Sequence, residues 1–218
     1  MVIQELKLSK RVEGRWLAVL EDGSILRLGE GEVVDFALYA GRELTDREAQ
    51  EILDCARRSG LKERALSLLT RKPQSRRELE RKLREWEASD REAEDICDRL
   101  EELGYLNDGQ YAAQVVRHYS ARGYGEKKLR DELYRRGIPR ELWDGAMEEA
   151  EDPARAIDAF LQKKLAGSAG DPAALKRAGD ALARRGYSWE EVREGLNRWG
   201  ADLGPEGSSP VGEEEKEA

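Results

Sequence analysis

Two cysteines, two phenylalanines and a single histidine are all that the 218 residues hold of those types. Cys55 and Cys97 stand far apart, and neither has a second Cys or a His at metal-ligand spacing. That excludes a disulfide framework and a zinc site, and two buried, reduced thiols are expected. His118 follows Arg117 with no Ser, Cys or Asp motif beside it, so no nucleophilic triad or metal site forms around it; a partly exposed helical residue is expected. No apolar run nears the ~20 residues that span a bilayer, and the N-terminus lacks the apolar core of a signal peptide, so a cytoplasmic protein is expected. Gly123-Tyr124-Gly125 has neither the spacing of a phosphate loop nor a strand before it. The acidic pairs Glu101-Glu102 and Glu148-Glu149 are adjacent and diverge on a helix rather than converge on a substrate. With no catalytic, metal or cofactor constellation, a non-enzymatic protein is expected.

What the chain does have is charge. Charged residues make up 39% and aromatics only 6%, a balance that suits small helical modules with one buried stripe each. Net charge is −8, but residues 201–218 carry six acids and one base, so the tail accounts for −5 of it. Residues 61–200 hold 28 bases and 28 acids, and a neutral average of that kind can still hide basic faces.

Residues 1–40 read as strands. Trp16–Leu20 and Ile25–Leu28 flank Asp22-Gly23, whose positive φ angles suit a hairpin turn. Val33–Phe36 is expected to add a further strand. Thr45-Asp46-Arg47-Glu48 is a capping box that opens a helix ending near Ser59-Gly60. Beyond residue 61 the pattern is helical throughout. Ser75-x-x-Glu78 and Ser89-x-x-Glu92 are further capping boxes, and Ser188-Trp189-Glu190-Glu191 opens the last helix. Gly104 suits a helix C-cap, Pro139, Pro153 and Pro172 suit first helical turns, and Asp152 and Asp171 suit N-caps. The Gly-, Pro-, Ser- and Glu-rich segment 201–218 is expected to be disordered.

The chain also repeats itself. Lys127-Lys128-Leu129-Arg130-Asp131-Glu132-Leu133-Tyr134-Arg135-Arg136-Gly137-Ile138 echoes Lys176-Arg177-Ala178-Gly179-Asp180-Ala181-Leu182-Ala183-Arg184-Arg185-Gly186-Tyr187 at an offset of 49 residues. A fainter copy begins at Arg77. The spacing predicts a mainly α protein: a strand-plus-helix region over 1–60, three-helix repeats over 61–107, 108–151 and 152–200, and the tail. Tandem repeats of that size form elongated arrays that bind large partners rather than small substrates.

Basic pairs flank the second helix of the repeats. Lys127-Lys128 and Lys176-Arg177 fall near its start, where cations oppose the helix dipole, and hint at an acidic partner surface or phosphates. Arg135-Arg136 and Arg184-Arg185 fall near its end, where the dipole alone explains them. Arg76, Arg77 and Arg130 join them as candidate contacts; Tyr105 and Tyr124, at helix–turn boundaries, are expected to pack between units, with a place at the partner surface as the alternative. Trp86, Trp143, Trp189 and Trp199 lie near helical stripes and read as core rather than base-stacking platforms.

One ordered set of residues resembles a known family. Gly104-Tyr105-Leu106-Asn107-Asp108, Tyr111-Ala112, Arg122-Gly123-Tyr124-Gly125, Leu129, Glu132-Leu133 and Arg136-Gly137-Ile138 in the middle repeat are similar to the RecX family, modulators of the RecA recombinase. The first repeat adds Ala65, Leu68-Leu69, Arg71, Ser75, Glu78-Leu79 and Leu83, and the last adds Arg185-Gly186-Tyr187-Ser188-Trp189. Asn107 stands where the family usually has Asp. The resemblance covers about residues 62–198. It implies a monomeric, cofactor-free regulator that binds the RecA filament, with single-stranded DNA as a further partner, and restrains recombination, ATP hydrolysis and the SOS response. The alternative is a stand-alone nucleic-acid-binding helical-repeat protein with basic faces on phosphates.

Overall fold

The structure, a computed structural model, describes residues 1–166 and 171–200; the tail expected to be disordered lies outside them. The described residues form a small sheet followed by ten helices. Two compact units divide the chain, Met1–Leu106 and the residues from Asn107 onward.

The first unit opens with an antiparallel sheet in the order β1 (Ile3–Leu8), β2 (Arg15–Leu20), β3 (Ile25–Gly29). The Asp22-Gly23 hairpin forms as the sequence predicts: Gly23 has φ +81°, and the Leu20 N–H donates to the Ser24 carbonyl at 2.9 Å. Alternation places Ala18, Leu20, Leu26 and Leu28 on the buried face, against Ala49 and Ile52 of α2 (Asp46–Arg71).

Two expectations fail here. The strand expected at Val33–Phe36 is instead part of a short helix, α1 (Glu30–Asp35). Glu32 reaches back to accept from the Gly29 N–H, and acids in the first turn suit the dipole, so capping overrides the β preference of two valines. The helix opened by Thr45 also does not stop at Ser59-Gly60; it runs 26 residues to Arg71. A mid-helix glycine costs about 1 kcal/mol, and the buried Leu61, Ala65 and Leu69 beyond it outweigh that.

The distal part of α2 packs with α3 (Arg76–Glu85) and α4 (Asp90–Glu102) around Leu79, Leu83, Ile96 and Leu100. Ser75 and Ser89 each accept from the backbone N–H three residues on, as their capping boxes predict. The second unit repeats the plan twice. α5 (Asp108–Ser120), α6 (Glu126–Arg135) and α7 (Trp143–Met147) enclose Val116, Leu129 and Leu133; α8 (Pro153–Lys164), α9 (Pro172–Arg184) and α10 (Trp189–Arg198) enclose Ile157, Leu161, Leu182 and Val192. Each fully buried Leu or Ile contributes roughly 1.5–3 kcal/mol, so every bundle carries a small core of its own. Pro153 and Pro172 stand at N1 behind Asp caps. Pro139 instead precedes a 3-10 turn at Arg140–Leu142, one residue outside it.

The repeats share a stop signal. After α6 and α9 the chain turns left-handed at Gly137 (φ +68°) and Gly186 (φ +93°). The equivalent residue after α3 is Glu87, at φ +65°, one of two non-glycine residues described in that region of backbone space.

Candidate partner-binding surface

The repeat geometry sorts the candidate cations into those the fold uses and those it leaves outward. Arg136 lies along α6 and its guanidinium meets the buried carboxylate of Glu132 one turn back. It also donates to the Tyr111 hydroxyl at 3.2 Å and the Tyr119 hydroxyl at 3.3 Å. Burial by itself would raise the Glu132 pKa, but hydrogen bonding and charge from Arg136 hold it below the ordinary carboxylate value, with Arg135 adding to the effect. Burial likewise disfavours the Arg136 charge, and the bond to Glu132 reverses that, so its guanidinium stays firmly ionised. Arg136 is therefore a bundle residue.

Arg185 ties the two bundles of the second unit together. Its Nη1 donates to the carbonyls of Arg122 (3.3 Å) and Gly123 (3.2 Å), just past α5, and its guanidinium lies over the rings of Phe160 and Tyr124. The backbone reinforces this seam. The Gly125 N–H donates to the Arg185 carbonyl at 2.9 Å, and the Lys127 N–H to the Gly186 carbonyl at 3.1 Å. Two N–H groups at the start of α6 are thus filled by peptide oxygens, and this helix start offers less to an external anion.

Three further candidates have intramolecular partners. Arg76 pairs with Glu80 (2.9 Å), Asp98 (2.7 Å) and Glu101 (2.7 Å), and Arg130 pairs with Glu126 and Asp144. Arg135 is exposed and pairs loosely with Glu132 at 3.1 Å. The Lys176-Arg177 pair is not where the sequence reading puts it. Asp171-Pro172 opens α9 four residues earlier, so both cations sit past the first turn and bear no dipole penalty; Arg177 leans back to Asp171 at 3.5 Å. Lys127 and Lys128 do stand in the first turn of α6.

Among the described residues, no carboxylate comes within 4 Å of the charged groups of Arg77, Lys127, Lys128, Lys176 or Arg184. The seam brings Lys127 and Lys128 beside the α9 turn that carries Arg184, and holds Arg122 there through Arg185. Arg122, which the spacing of basic pairs misses, is exposed; its Nη1 lies 3.4 Å from His118 Nε2, and its side chain has no ion pair among the described residues. Exposed cations with no carboxylate partner attract carboxylates or phosphates, although the cavity beside this seam, lined by Tyr124, Leu129 and Tyr187, also holds Glu126, Glu151, Asp152 and Glu191.

The remaining expectations divide. Trp143 is buried with its Nε1 donating to the Ile138 carbonyl at 2.9 Å, and Trp86, Trp189 and Trp199 pack half-buried on bundle cores. Tyr124 packs against Tyr119, whereas Tyr105 is 52% exposed and does not pack as a core residue. His118 is an exposed helical residue. Cys97 is buried, and burial pushes its thiol up to about 12. Cys55 is only half-buried, with its Sγ 3.9 Å from Glu32 Oε1. No described helix is long and apolar enough to cross a membrane.

Comparison with known proteins follows the same three-helix divisions. A family model described as the first three-helix domain of RecX matches residues 62–100, and one described as its second three-helix domain matches residues 107–147. The regulatory protein RecX of Pseudomonas entomophila (strain L48) is 38% identical over 141 residues, covering 64% of this chain and 90% of that protein. The regulatory protein RecX of Streptomyces coelicolor is 36% identical over 155 residues, covering 65% of this chain and 82% of that protein. A crystal structure of regulatory protein RecX superposes with a TM-score of 0.69, covering 90% of this chain and 98% of that one. RecX from Lactobacillus salivarius gives 0.62, covering 66% of this chain and 97% of that one. Both structures are 21% identical to it and speak to the fold. The chain belongs to the RecX family of regulatory proteins.

Proposed function

We propose that this protein is a non-enzymatic, cytoplasmic regulator that binds the RecA–single-stranded DNA filament as a monomer and restrains its activity. The observation that carries this reading is the set of unopposed cations on the α6–α9 seam, inside residues matched to RecX or directly joined to them. Lys127 and Lys128 work against their own helix dipole at a cost of roughly 0.3–1 kcal/mol each, and an acidic or phosphate-bearing surface offsets that cost on binding. Several modest contacts on successive helical bundles raise affinity together, because the first contact raises the effective concentration of the rest.

The test is the ATPase of RecA on single-stranded DNA, titrated with the purified full chain. Inhibition is expected to scale with the ratio of this protein to RecA, with no ATP or DNA hydrolysis by the protein alone. ATPase that stays unchanged at saturating protein contradicts the reading. Tight DNA binding without any effect on RecA supports the stand-alone nucleic-acid-binding alternative instead.

A further inference from the structure

The N-terminal sheet lies outside the residues matched by either RecX domain model, and its far edge is open. β3 pairs with β2 on one side only; among the described residues no strand pairs with its other side. The ladder fixes which backbone groups face out. The Leu20 N–H bonds the Ser24 carbonyl, and Ala18 and Trp16 stand opposite Leu26 and Leu28, so these pairs carry the β2–β3 bonds. Ile25 and Arg27, opposite Val19 and Leu17, therefore turn their N–H and C=O groups away from β2. The Gly29 N–H also turns outward, and it is taken by Glu32.

A groove of about 350 Å³ runs along this edge, walled by β3 on one side and α2 on the other. Its lining combines apolar and cationic groups. Ile25 and Leu53 supply apolar surface, 51% and 40% exposed. Arg15, Arg27 and Arg57 supply cations, against a single lining carboxylate, Glu63. Arg15 is paired with Glu63 and Arg57 with Glu92, whereas Arg27 is exposed and has no ion pair among the described residues. The unpaired backbone groups of an edge strand are a template for another strand, and the cations along this one select a segment of opposite charge.

We propose that β3 and α2 form a docking groove for an extended acidic segment of a protein partner, added to the sheet as a fourth strand. The outward groups of Ile25 and Arg27 supply main-chain hydrogen bonds. Arg27 meets a carboxylate of the segment on the exposed face of the sheet, and Leu53 takes its alternate apolar side chains on the α2 side. This docking is independent of the basic seam in the second unit.

The experiment uses the full chain and two fluorescein-labelled decapeptides of equal charge, one alternating Glu with Val and one alternating Glu with Pro. Fluorescence anisotropy is read at two salt concentrations, with amide hydrogen exchange at Ile25 and Arg27. The Glu–Val peptide is expected to bind saturably and to slow exchange at both amides, and the Glu–Pro peptide, which cannot complete a ladder, to bind at least tenfold more weakly. The exposed substitution Arg27→Glu, which leaves the core untouched, is expected to weaken the Glu–Val peptide tenfold or more. Equal binding of the two peptides reduces the interaction to charge attraction and overturns the proposal. So does an absence of binding, or a Glu–Val affinity that Arg27→Glu leaves intact.

Discussion

The carbonyl of Gly186 accepts the backbone N–H of Lys127 at 3.1 Å, so the turn that ends one bundle's middle helix plugs the start of the other's. Neither side of this seam has room for a side chain. A Cβ on Gly125 would lie 2.5 Å from the Tyr187 nitrogen, and one on Gly186 2.5 Å from the Lys128 nitrogen. Gly186→Ala also places an L-residue at φ +93°. Gly125→Ala and Gly186→Ala are expected to cost about 2–4 kcal/mol each, because backbone must move to relieve the clash. Gly145→Ala is the control: it sits in α7 with nothing within 4 Å of the added carbon and is expected to be neutral or stabilising by up to about 1 kcal/mol. Urea unfolding of the three variants checks this, and equal midpoints would show that the seam does not hold the bundles.

Glu87→Gly is expected to stabilise the first unit by about 0.5–1 kcal/mol. Glu87 occupies the left-handed turn that Gly137 and Gly186 occupy in the other bundles, and it does so with a side chain. A rise in the unfolding midpoint at constant slope is the expected result; a fall would mean that the Glu87 side chain repays its strain elsewhere.

The Glu132–Arg136 pair makes stability pH-dependent. The folded pKa of Glu132 lies below its ordinary value of 4.5, so the unfolded chain binds the proton more readily. The stability it contributes is full above about pH 4.5 and is lost as pH falls through the depressed folded value. Glu132→Gln is expected to lower stability near neutral pH by about 1–3 kcal/mol and to flatten the acid limb. An acid limb unchanged by the substitution would assign that loss to other carboxylates.

The two thiols separate kinetically. Cys55 is half-buried, whereas Cys97 is buried and its thiol is pushed up to about 12. A thiol reagent at pH 8 is expected to label Cys55 first, and Cys97 only as the bundle opens, roughly a hundredfold or more slower. Equal rates would contradict the packing of α4.

Much of this fold is legible before any coordinates, because local chemistry and tertiary packing agree. Thr45, Ser75, Ser89 and Ser188 all cap as their spacing predicts. The failures come where they disagree. Gly60 looks like a stop, but Leu61, Ala65 and Leu69 carry α2 through it. Val33 and Val34 look like a strand, but Glu32 caps Gly29. The candidate surface is legible only in part, since sequence gives the arginine pairs but not which member turns inward. Arg136 and Arg185 turn in, toward Glu132 and the carbonyls beyond α5, while Arg135 and Arg184 turn out. The Glu132–Arg136 spacing of four was a readable sign of the first; no local signal announces the second, because Gly123 lies 62 residues away.

Binding of the Lys127→Gln/Lys128→Gln variant to the RecA–single-stranded DNA filament, measured across a salt series, tests the role of the seam most directly. Neither lysine is in an ion pair among the described residues, so stability is expected to stay within about 0.5 kcal/mol of the parent. Filament affinity is expected to fall roughly threefold or more, with a shallower salt dependence, since two cations no longer displace counterions. A variant that binds and inhibits RecA as the parent does, with the same salt slope, would contradict the assignment of this seam to the partner.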